Sequence, residues 1–288
     1  MHEIINSEVE GKFILVLGGT GKTGRRIVDQ IKEKGLPVRI GSRSANPGFD
    51  WYDQSTWAKV IEDVSTVYIS FYPDLAVPGA PEAIQAFTDL AVNSGIKKIV
   101  LLSGRGEEEA QRCEQIVQNS GVKWTIVRAS WFAQNFSEAF MRDLILSGTL
   151  ALPAGDVKEP FIDADDIADV AVAALSEEGH EAQLYEITGP RLMTFTEAVD
   201  EISKGAGIEV DYIQIPAQVF SDEMAAQGVP SEYIDLVNYL FTTVLDGRNS
   251  YICDGVQRAL GREPRDFSEY VKIAASEGAW VIEEEASD

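Results

Sequence analysis

A glycine-rich segment near the start of the chain most constrains what it can fold into. Val16–Gly24 reads V-L-G-G-T-G-K-T-G and overlaps a continuous apolar run, Phe13–Leu17. Such a run is typical of a parallel strand buried on both faces. After the glycines, Ile27, Val28 and Ile31 recur at helical spacing. The segment therefore predicts a strand, a tight glycine turn and a helix.

The glycine spacing favours one kind of nucleotide-binding turn over another. Gly19, Gly21 and Gly24 fit G-x-G-x-x-G, and Gly18 begins a G-x-x-G-x-x-G variant; both are typical of a turn that holds the pyrophosphate of a dinucleotide. The P-loop of ATPases needs a glycine where this chain has Val16, inside the strand. A turn that binds nothing is the other alternative. We predict cofactor contacts from Gly18, Thr20, Gly21, Lys22, Thr23 and Gly24.

Composition limits the class of protein. The 288 residues suffice for one large α/β domain with an appendage, or for two modest domains. Only Cys113 and Cys253 occur, so no disulfide framework is implied and a cytoplasmic location is expected. No apolar stretch reaches the roughly 20 residues that span a bilayer, and no signal-peptide pattern is seen. The net charge of −23 opposes binding to nucleic acid or acidic membranes.

Strand and helix patterns alternate through the first half of the chain. Predicted strands cover 13–17, 38–40, 66–70, 98–102 and 124–128. This alternation predicts an α/β fold with a Rossmann-type doubly wound parallel sheet. After about residue 150 the pattern becomes irregular, with predicted helices at 165–175 and 194–204 and predicted strands at 183–188 and 210–215. We expect a cofactor-binding domain over 1–150 and a smaller C-terminal α+β substrate lobe over 151–288, interleaved with the first and lying over the carboxyl ends of the sheet.

The residues after the second predicted strand decide between the two nicotinamide dinucleotides. NAD-binding chains usually carry an acid there, about 20 residues after the glycines, which holds the ribose 2′-hydroxyl. Here the segment from Arg39 reads R-I-G-S-R-S and has no acid. Arg43 can bind a 2′-phosphate, with the hydroxyl of Ser42 as a further donor. We therefore predict that the cofactor is NADP(H), with NAD(H) as the alternative. For Arg43, the alternative is a solvated loop residue that binds no cofactor.

Three further strand ends are predicted to line the nicotinamide end of the cofactor. The residues concerned are Ser70, Phe71, Ser103, Gly104, Ala129, Trp131 and Phe132. Aromatic rings at these positions can stack on a flat ring, although core packing explains each of them equally well. No metal site is predicted.

Several segments resemble the NmrA-like group of atypical short-chain dehydrogenases/reductases. They read G-G-T-G-K-T-G-R-R, L-L-S-G-R-G-E-E-E-A-Q, W-T-I-V-R-A-S-W-F-A-Q-N-F-S-E, P-F-I-D-A-D-D-I-A-D-V-A, Y-E-I-T-G-P-R and A-L-G-R-E-P-R-D-F. The resemblance covers nearly the whole chain. It implies a Rossmann domain, a preference for NADP(H) and a small C-terminal substrate lobe. The group includes triphenylmethane reductase-like, quinone reductase-like and ergot alkaloid dehydrogenase-like proteins, and members that sense the cofactor without catalysis.

The resemblance also suggests catalytic residues, with one departure from the usual pattern. Ordinary members of the superfamily use a Tyr-x-x-x-Lys pair beside a serine. Ser103 looks like that serine, but no tyrosine in this chain has lysine four residues later. We predict that Ser103 polarises an acceptor oxygen and that Tyr72 donates a proton, unless its hydroxyl only caps a loop. His180, in a predicted surface turn, and His2 are not expected to act as bases.

Two functions remain open from the sequence. The first is an NADPH-dependent reductase that passes a hydride to a small electron-poor acceptor such as a quinone, an imine or a dye. The second is a non-catalytic NADP(H) sensor whose affinity for a protein partner changes with the cofactor. The missing tyrosine–lysine pair motivates the second function, and it disfavours a sugar-nucleotide epimerase.

Overall fold

The computed structural model describes residues 12–281, which divide into two units with separate cores. The first unit comprises the chain up to Ala129, then Ala164–Ile187 and Cys253–Glu263. The second comprises Ser130–Asp163, Thr188–Ile252 and the chain from Pro264 onward. The chain therefore enters each unit three times. That one unit binds a cofactor and the other a substrate stays a prediction.

A six-stranded parallel sheet forms the centre of the first unit. Its strands are β1 (Phe13–Leu17), β2 (Val38–Gly41), β3 (Val64–Ile69), β4 (Lys98–Gly104), β5 (Lys123–Ala129) and β7 (Gln183–Ile187). They lie in the order β2-β1-β3-β4-β5-β7, and every pair is parallel. The order reverses at β1, so the crevice beyond the carboxyl ends of β1 and β3 is where sheets of this kind hold ligands. The predicted Rossmann-type sheet is confirmed.

Helices cover both faces of this sheet. They are α1 (Lys22–Glu33), α2 (Trp57–Val60), α3 (Ala80–Asn93), α4 (Glu108–Gln118), α6 (Ala164–Ser176) and α10 (Gly255–Leu260). Leu15, Val67 and Ile99 belong to the same buried cluster as Phe87 of α3. Tyr68, the next residue along β3, instead bonds to Thr23 of α1. Because successive strand residues point to opposite faces, α1 and α3 lie on opposite sides of the sheet, as doubly wound folds require.

Polar side-chain pairs at successive turns of α1 join it to α6. They join Arg26 to Asp165 at 2.7 Å and Gln30 to Asp169 at 2.8 Å. Just beyond the ends of the two helices, Lys34 pairs with Glu177 at 3.5 Å. The four-residue spacing of Arg26 and Gln30 keeps both on one face of α1. Helix α6 is thereby fixed against the helix that follows the glycine turn.

The second unit combines a small parallel sheet with helices. The sheet pairs β6 (Thr149–Leu152) with β8 (Asp211–Gln214). The helices are α5 (Phe140–Leu146), α7 (Phe195–Ala206), α8 (Ala217–Ala226), α9 (Ser231–Tyr239) and α11 (Phe267–Ser276). Thr194 caps α7 in a capping box with Glu197. The core is rich in aromatic rings, with Phe195 and Phe267 both packed against Phe161.

The structure adds one short helix and corrects the prediction for His180. After Phe132 the chain forms only a short 3₁₀ helix, Ala133–Phe136, and Gln134 there donates to Asp163 at 2.8 Å. His180 was predicted in a surface turn, but it is buried and its Nδ1 lies 2.9 Å from the Tyr185 hydroxyl. Burial lowers the pKa of His180, because it disfavours the charged imidazolium.

Candidate functional site

The glycine turn is shaped by the space that its missing side chains leave. Gly18 has a left-handed φ of 71°, and a Cβ on it would lie 3.1 Å from the Cβ of Ser70, just beyond β3. A Cβ on Gly24 would lie 2.1 Å from the carbonyl oxygen of Gly18. No residue with a side chain fits at Gly24 without moving the backbone. The turn is therefore packed tightly between β1, β3 and the start of α1.

The start of α1 is open to an anion. Gly21 is the N-cap, it is exposed, and no side chain caps the helix. The first turn carries no acidic residue. The first four amides of an α-helix have no acceptor within it, and this end carries a partial positive charge. These features, with exposed Thr20 beside them, are what a phosphate-binding turn needs.

Thr23 contributes differently from its neighbours in the turn. It is buried, and its Oγ1 accepts a hydrogen bond from the Tyr68 hydroxyl at 2.9 Å. Burial raises the pKa of Tyr68, so the phenol stays protonated and keeps donating. Tyr68 therefore anchors the turn to β3. Sequence reasoning missed this tyrosine, because Thr23 lies far from it along the chain and meets it only in the fold.

Arg43 is held close to the glycine turn by the backbone. The Gly18 N–H donates to the Gly41 carbonyl at 2.9 Å, which joins the turn to the end of β2. Arg43 follows two residues later and is exposed, and its guanidinium carbon lies 5.4 Å from the centroid of the Tyr72 ring. A guanidinium over an aromatic face at this distance is a cation–π contact. The structure thus brings together two residues that were predicted for separate roles.

The end of β3 combines a partly exposed residue with a buried one. Ser70 is half-buried, and its carbonyl accepts from the Trp51 indole at 3.3 Å. Phe71 is buried, and its ring centroid lies 4.9 Å from that of Trp51. Trp51 in turn packs on Phe49 and Trp57. The Phe71 ring therefore belongs to the aromatic core of the first unit, and its contact with a cofactor stays a prediction.

Ser103 is part of a buried network of charged residues. Its hydroxyl donates to Glu114 Oε1 at 2.6 Å, and Arg128 holds both Glu114 oxygens at 2.8 and 2.5 Å. Arg128 also reaches Glu186 at 3.2 Å, and Arg105 pairs with Glu186 at 2.9 Å. The bond to Glu114 raises the pKa of Arg128. Because the Ser103 hydroxyl already donates its proton to Glu114, it can only accept a hydrogen bond from another group.

Gly104 leaves room for a carboxyl group. A Cβ on it would lie 2.0 Å from Oε1 of Glu107, so the glutamate covers the glycine. Glu107 is buried, and its carboxyl faces that of Asp74, which follows β3. Burial, above all, and then the nearby Asp74 raise the pKa of Glu107 well above its ordinary value. Sequence reasoning missed this pair, because Glu107 opens a run of three glutamates that looks like a solvated helix start.

The residues after β5 divide between the two units. Ala129 ends β5 in the first unit, and its carbonyl accepts from the Arg105 N–H at 3.2 Å. Trp131 and Phe132 belong to the second unit. Trp131 packs on Phe241 at a centroid distance of 4.9 Å. The predicted contacts of these three residues with a cofactor stay predictions.

Neither a metal-binding cluster nor a membrane-spanning helix is found within residues 12–281. Within that range, no three or more His, Cys, Asp or Glu side chains are grouped so that they could hold a metal ion. None of the helices described there is both long enough and apolar enough to cross a membrane.

Comparison with known proteins gives a consistent picture. Residues 108–271 match the model of the NmrA-like family. The chain is 31% identical to "Prestalk A differentiation protein A" of Dictyostelium discoideum, over 90% of this chain and 91% of that protein. It is 30% identical to the NAD(P)H azoreductase of Xenophilus azovorans, over 92% of this chain and 98% of that protein.

Among solved structures, the fold is similar to that of an NADPH-dependent quinone oxidoreductase, QOR2, from Escherichia coli in complex with NADPH. The TM-score is 0.76, and the alignment covers 90% of this chain and 99% of the other. The sequences are 21% identical, so this likeness shows the shared Rossmann-type fold.

Proposed function

The chain belongs to the NmrA-like family, and from that premise we propose that it is a reductase that uses NADP(H) in preference to NAD(H). Its acceptor is a small electron-poor compound such as a quinone, an imine or a dye. Similar proteins support this proposal, since one relative is named an NAD(P)H azoreductase and one structure of the same fold is a quinone oxidoreductase with NADPH.

The observation that carries the proposal is the pairing of an uncapped helix start with a nearby arginine. Gly21 leaves the positive end of α1 open. A Cβ on Gly18 would press on Ser70 and one on Gly24 would strike the Gly18 carbonyl, so the glycines allow the tight turn that a pyrophosphate needs. Arg43 stands two residues beyond the Gly41 carbonyl that holds the turn. No acid ends β2, so a 2′-phosphate meets a cation rather than a carboxylate.

When bound, the nicotinamide cofactor supplies a hydride. The residues of the chain bind and orient it. The amides of the turn hold the pyrophosphate, Arg43 and Ser42 hold the 2′-phosphate, and Tyr72 positions the guanidinium of Arg43 through its ring. Tyr68 fixes the turn through Thr23, so the donors are in place before binding.

The first experiment is a calorimetric titration with NADPH and NADH. Arg43→Leu is expected to weaken NADPH binding by about 10- to 100-fold, because charge-assisted hydrogen bonds to a phosphate are lost. NADH binding should change little. Arg112→Leu, an exposed arginine of α4 paired with Glu109, is the matched control and should change neither affinity. Equal losses for both cofactors with Arg43→Leu would contradict the assignment.

The second candidate function is a cofactor sensor. It is favoured by the Ser103 hydroxyl, whose proton is committed to Glu114, and by the missing tyrosine–lysine pair. One relative carries the name of a differentiation protein, not of an enzyme. Turnover of NADPH against quinones, azo dyes and triphenylmethane dyes separates the two functions. Tight NADPH binding with no oxidation by any of them would favour the sensor.

A further inference from the structure

We infer that the paired carboxyl groups of Asp74 and Glu107 donate the proton that a neutral acceptor takes up together with the hydride. This role rests on the proposed reductase function and names its proton donor. It also narrows the acceptor to compounds whose reduction consumes a proton, such as quinones and azo compounds. A cationic acceptor is neutralised by the hydride alone and needs no such donor.

The two carboxyl groups come from neighbouring strands. Asp74 lies four residues after Ser70, just beyond β3, and Glu107 lies three residues after Gly104, at the end of β4. β3 and β4 are adjacent and parallel, so both groups stand at the same edge of the sheet. This is the edge at which doubly wound sheets hold ligands, and Ser70 there touches the glycine turn.

The Glu107 carboxyl has no ordinary structural reason to be buried. Only 7% of the residue is exposed, and its Oε2 has no hydrogen-bond partner among the residues that the structure describes. It is the N-cap residue of α4, yet its side chain does not cap that helix. It turns instead to a second carboxyl, that of Asp74. A buried ionised carboxylate facing another acid is costly, and a shared proton removes that cost.

The surrounding charges keep the proton on the pair. On its own helix, Glu114 faces Glu107 and opposes its ionisation. The two arginines of this region pair with other carboxylates, Arg128 with Glu114 and Arg105 with Glu186. Burial raises the pKa of Asp74 as well. The pKa of each carboxyl group is thus raised, and the two groups titrate as a pair.

Asp74 is the member of the pair that can reach a ligand. It is partly exposed, and its Oδ1 is fixed by the Ala76 N–H at 2.8 Å, whereas Glu107 is buried behind it. Ser103, one residue before Gly104, gives its own proton to Glu114. Near the end of β4, the carboxyl pair thus holds a proton that is not already donated within the network of Ser103, Glu114 and Arg128.

The proton and electron balance is simple for a quinone. The reduced nicotinamide provides both electrons and one hydrogen as hydride. An O–H bond of the carboxyl pair breaks, an O–H bond forms on the acceptor oxygen, and a hydroquinone results. The pair is left without its proton, and water restores it at the exposed side of Asp74. Glu107 passes its proton to Asp74 during the transfer, so the pair loses one proton for each hydride consumed.

The first test measures the proton directly, without turnover. Infrared spectra of the protein at a pH above the ordinary glutamate pKa should contain the carbonyl stretch of a protonated carboxylic acid. Glu107→Gln and Asp74→Asn should each remove or shift this band, while Glu108→Gln, an exposed neighbour in the same helical turn, should leave it unchanged. A wild-type protein without the band overturns the inference.

The second test compares a neutral quinone with a cationic triphenylmethane dye. General acid catalysis contributes about 100-fold or more, so Asp74→Asn should lower the ratio of the quinone rate to the dye rate by about that factor. In the wild type the quinone rate should fall as the pH rises through the pKa of the pair, because the protonated form is the donor. If Asp74→Asn and Glu107→Gln both leave the ratio of quinone rate to dye rate unchanged, the inference is overturned.

The outcomes separate this role from the reductase function itself. If the protein reduces the dye and the variants leave the ratio of quinone rate to dye rate unchanged, the reductase function stands. The role of the carboxyl pair as proton donor is then overturned. A protein that binds NADPH but reduces neither acceptor overturns the reductase function, and with it the use of the proton.

A stability measurement guards against variants that merely misfold. Because the pKa of Glu107 is raised in the folded state, its contribution to stability is complete below the ordinary glutamate pKa. It is lost as the pH rises towards the folded value. Glu107→Gln should therefore be folded, and its urea midpoint should depend less on pH between 5 and 8 than that of the wild type. A pH dependence equal to that of the wild type contradicts the shared proton.

Discussion

The carboxyl ends of β1 and β4 belong to one sheet but are built by opposite means. After β1, glycines leave space and the backbone provides the donors, with Gly18 and Gly24 in van der Waals reach of each other. After β4, buried ionisable side chains fill the space, with Ser103 and Glu107 at the centre. The first end presents the positive end of a helix dipole to an anion. The second holds buried carboxyl groups and arginines that bond to one another. One sheet thus offers two electrostatic environments.

The largest expected effect tests the backbone-built end. Gly24→Ala should lower stability by about 4 kcal/mol or more, because the added Cβ would lie 2.1 Å from a carbonyl oxygen and the backbone must shift. Gly21→Ala is the matched variant, since its Cβ would lie 3.2 Å from the same oxygen in an exposed position. It should fold normally but bind NADPH at least tenfold more weakly. Urea unfolding and calorimetry measure both effects, and equal stability of the two variants would break the comparison.

A smaller effect is expected at the side-chain-built end. Ser103→Ala should lower stability by about 2 kcal/mol, the value of a hydrogen bond to a charged group, since Glu114 loses its bond from the serine. The control is Ser65→Ala, a buried serine whose Oγ has no partner among the described residues, and which should cost nothing. Urea unfolding and steady-state kinetics are the measurements. A loss of turnover without a loss of stability would instead assign Ser103 to the acceptor.

The smallest effect is expected at Tyr72, whose ring supports Arg43 beside the backbone-built end. An exposed cation–π contact is worth about 0.5–1 kcal/mol, so Tyr72→Leu should weaken NADPH binding by roughly two- to fivefold and leave NADH unchanged. Tyr52→Leu, another exposed tyrosine of the first unit, is the control. Calorimetry gives both affinities. A large fall in the rate with a quinone at unchanged NADPH affinity would make Tyr72 a proton donor.

The sequence predicted the backbone-built end well because its requirements are local. A strand, a glycine turn and a helix follow one another within Phe13–Glu33, and each has its own short-range pattern. The same holds for the end of β2, where the absence of an acid is visible without any structure. The capping box of Thr194 and Glu197 was likewise local, three residues apart.

The side-chain-built end could not be predicted because its partners are distant along the chain. Asp74 and Glu107 meet only once β3 and β4 are paired. At the glycine turn, the bond from Tyr68 to Thr23 was hidden for the same reason, since it spans 45 positions. Burial also hid them, since Glu107 opens a run of three glutamates that resembles a solvated surface. His180 was misjudged for the same reason: glutamates flank it in the sequence, but Tyr185 holds its ring inside the protein.

The threefold entry of the chain into the first unit has a consequence for its synthesis. β7 is the last strand added to the sheet, and α10 comes from Cys253–Glu263. A nascent chain emerging from the ribosome therefore carries the whole glycine turn long before the layer that packs on α1 exists. The first unit becomes complete only when nearly the entire protein has been translated, so early truncations should yield fragments that chaperones or proteases intercept.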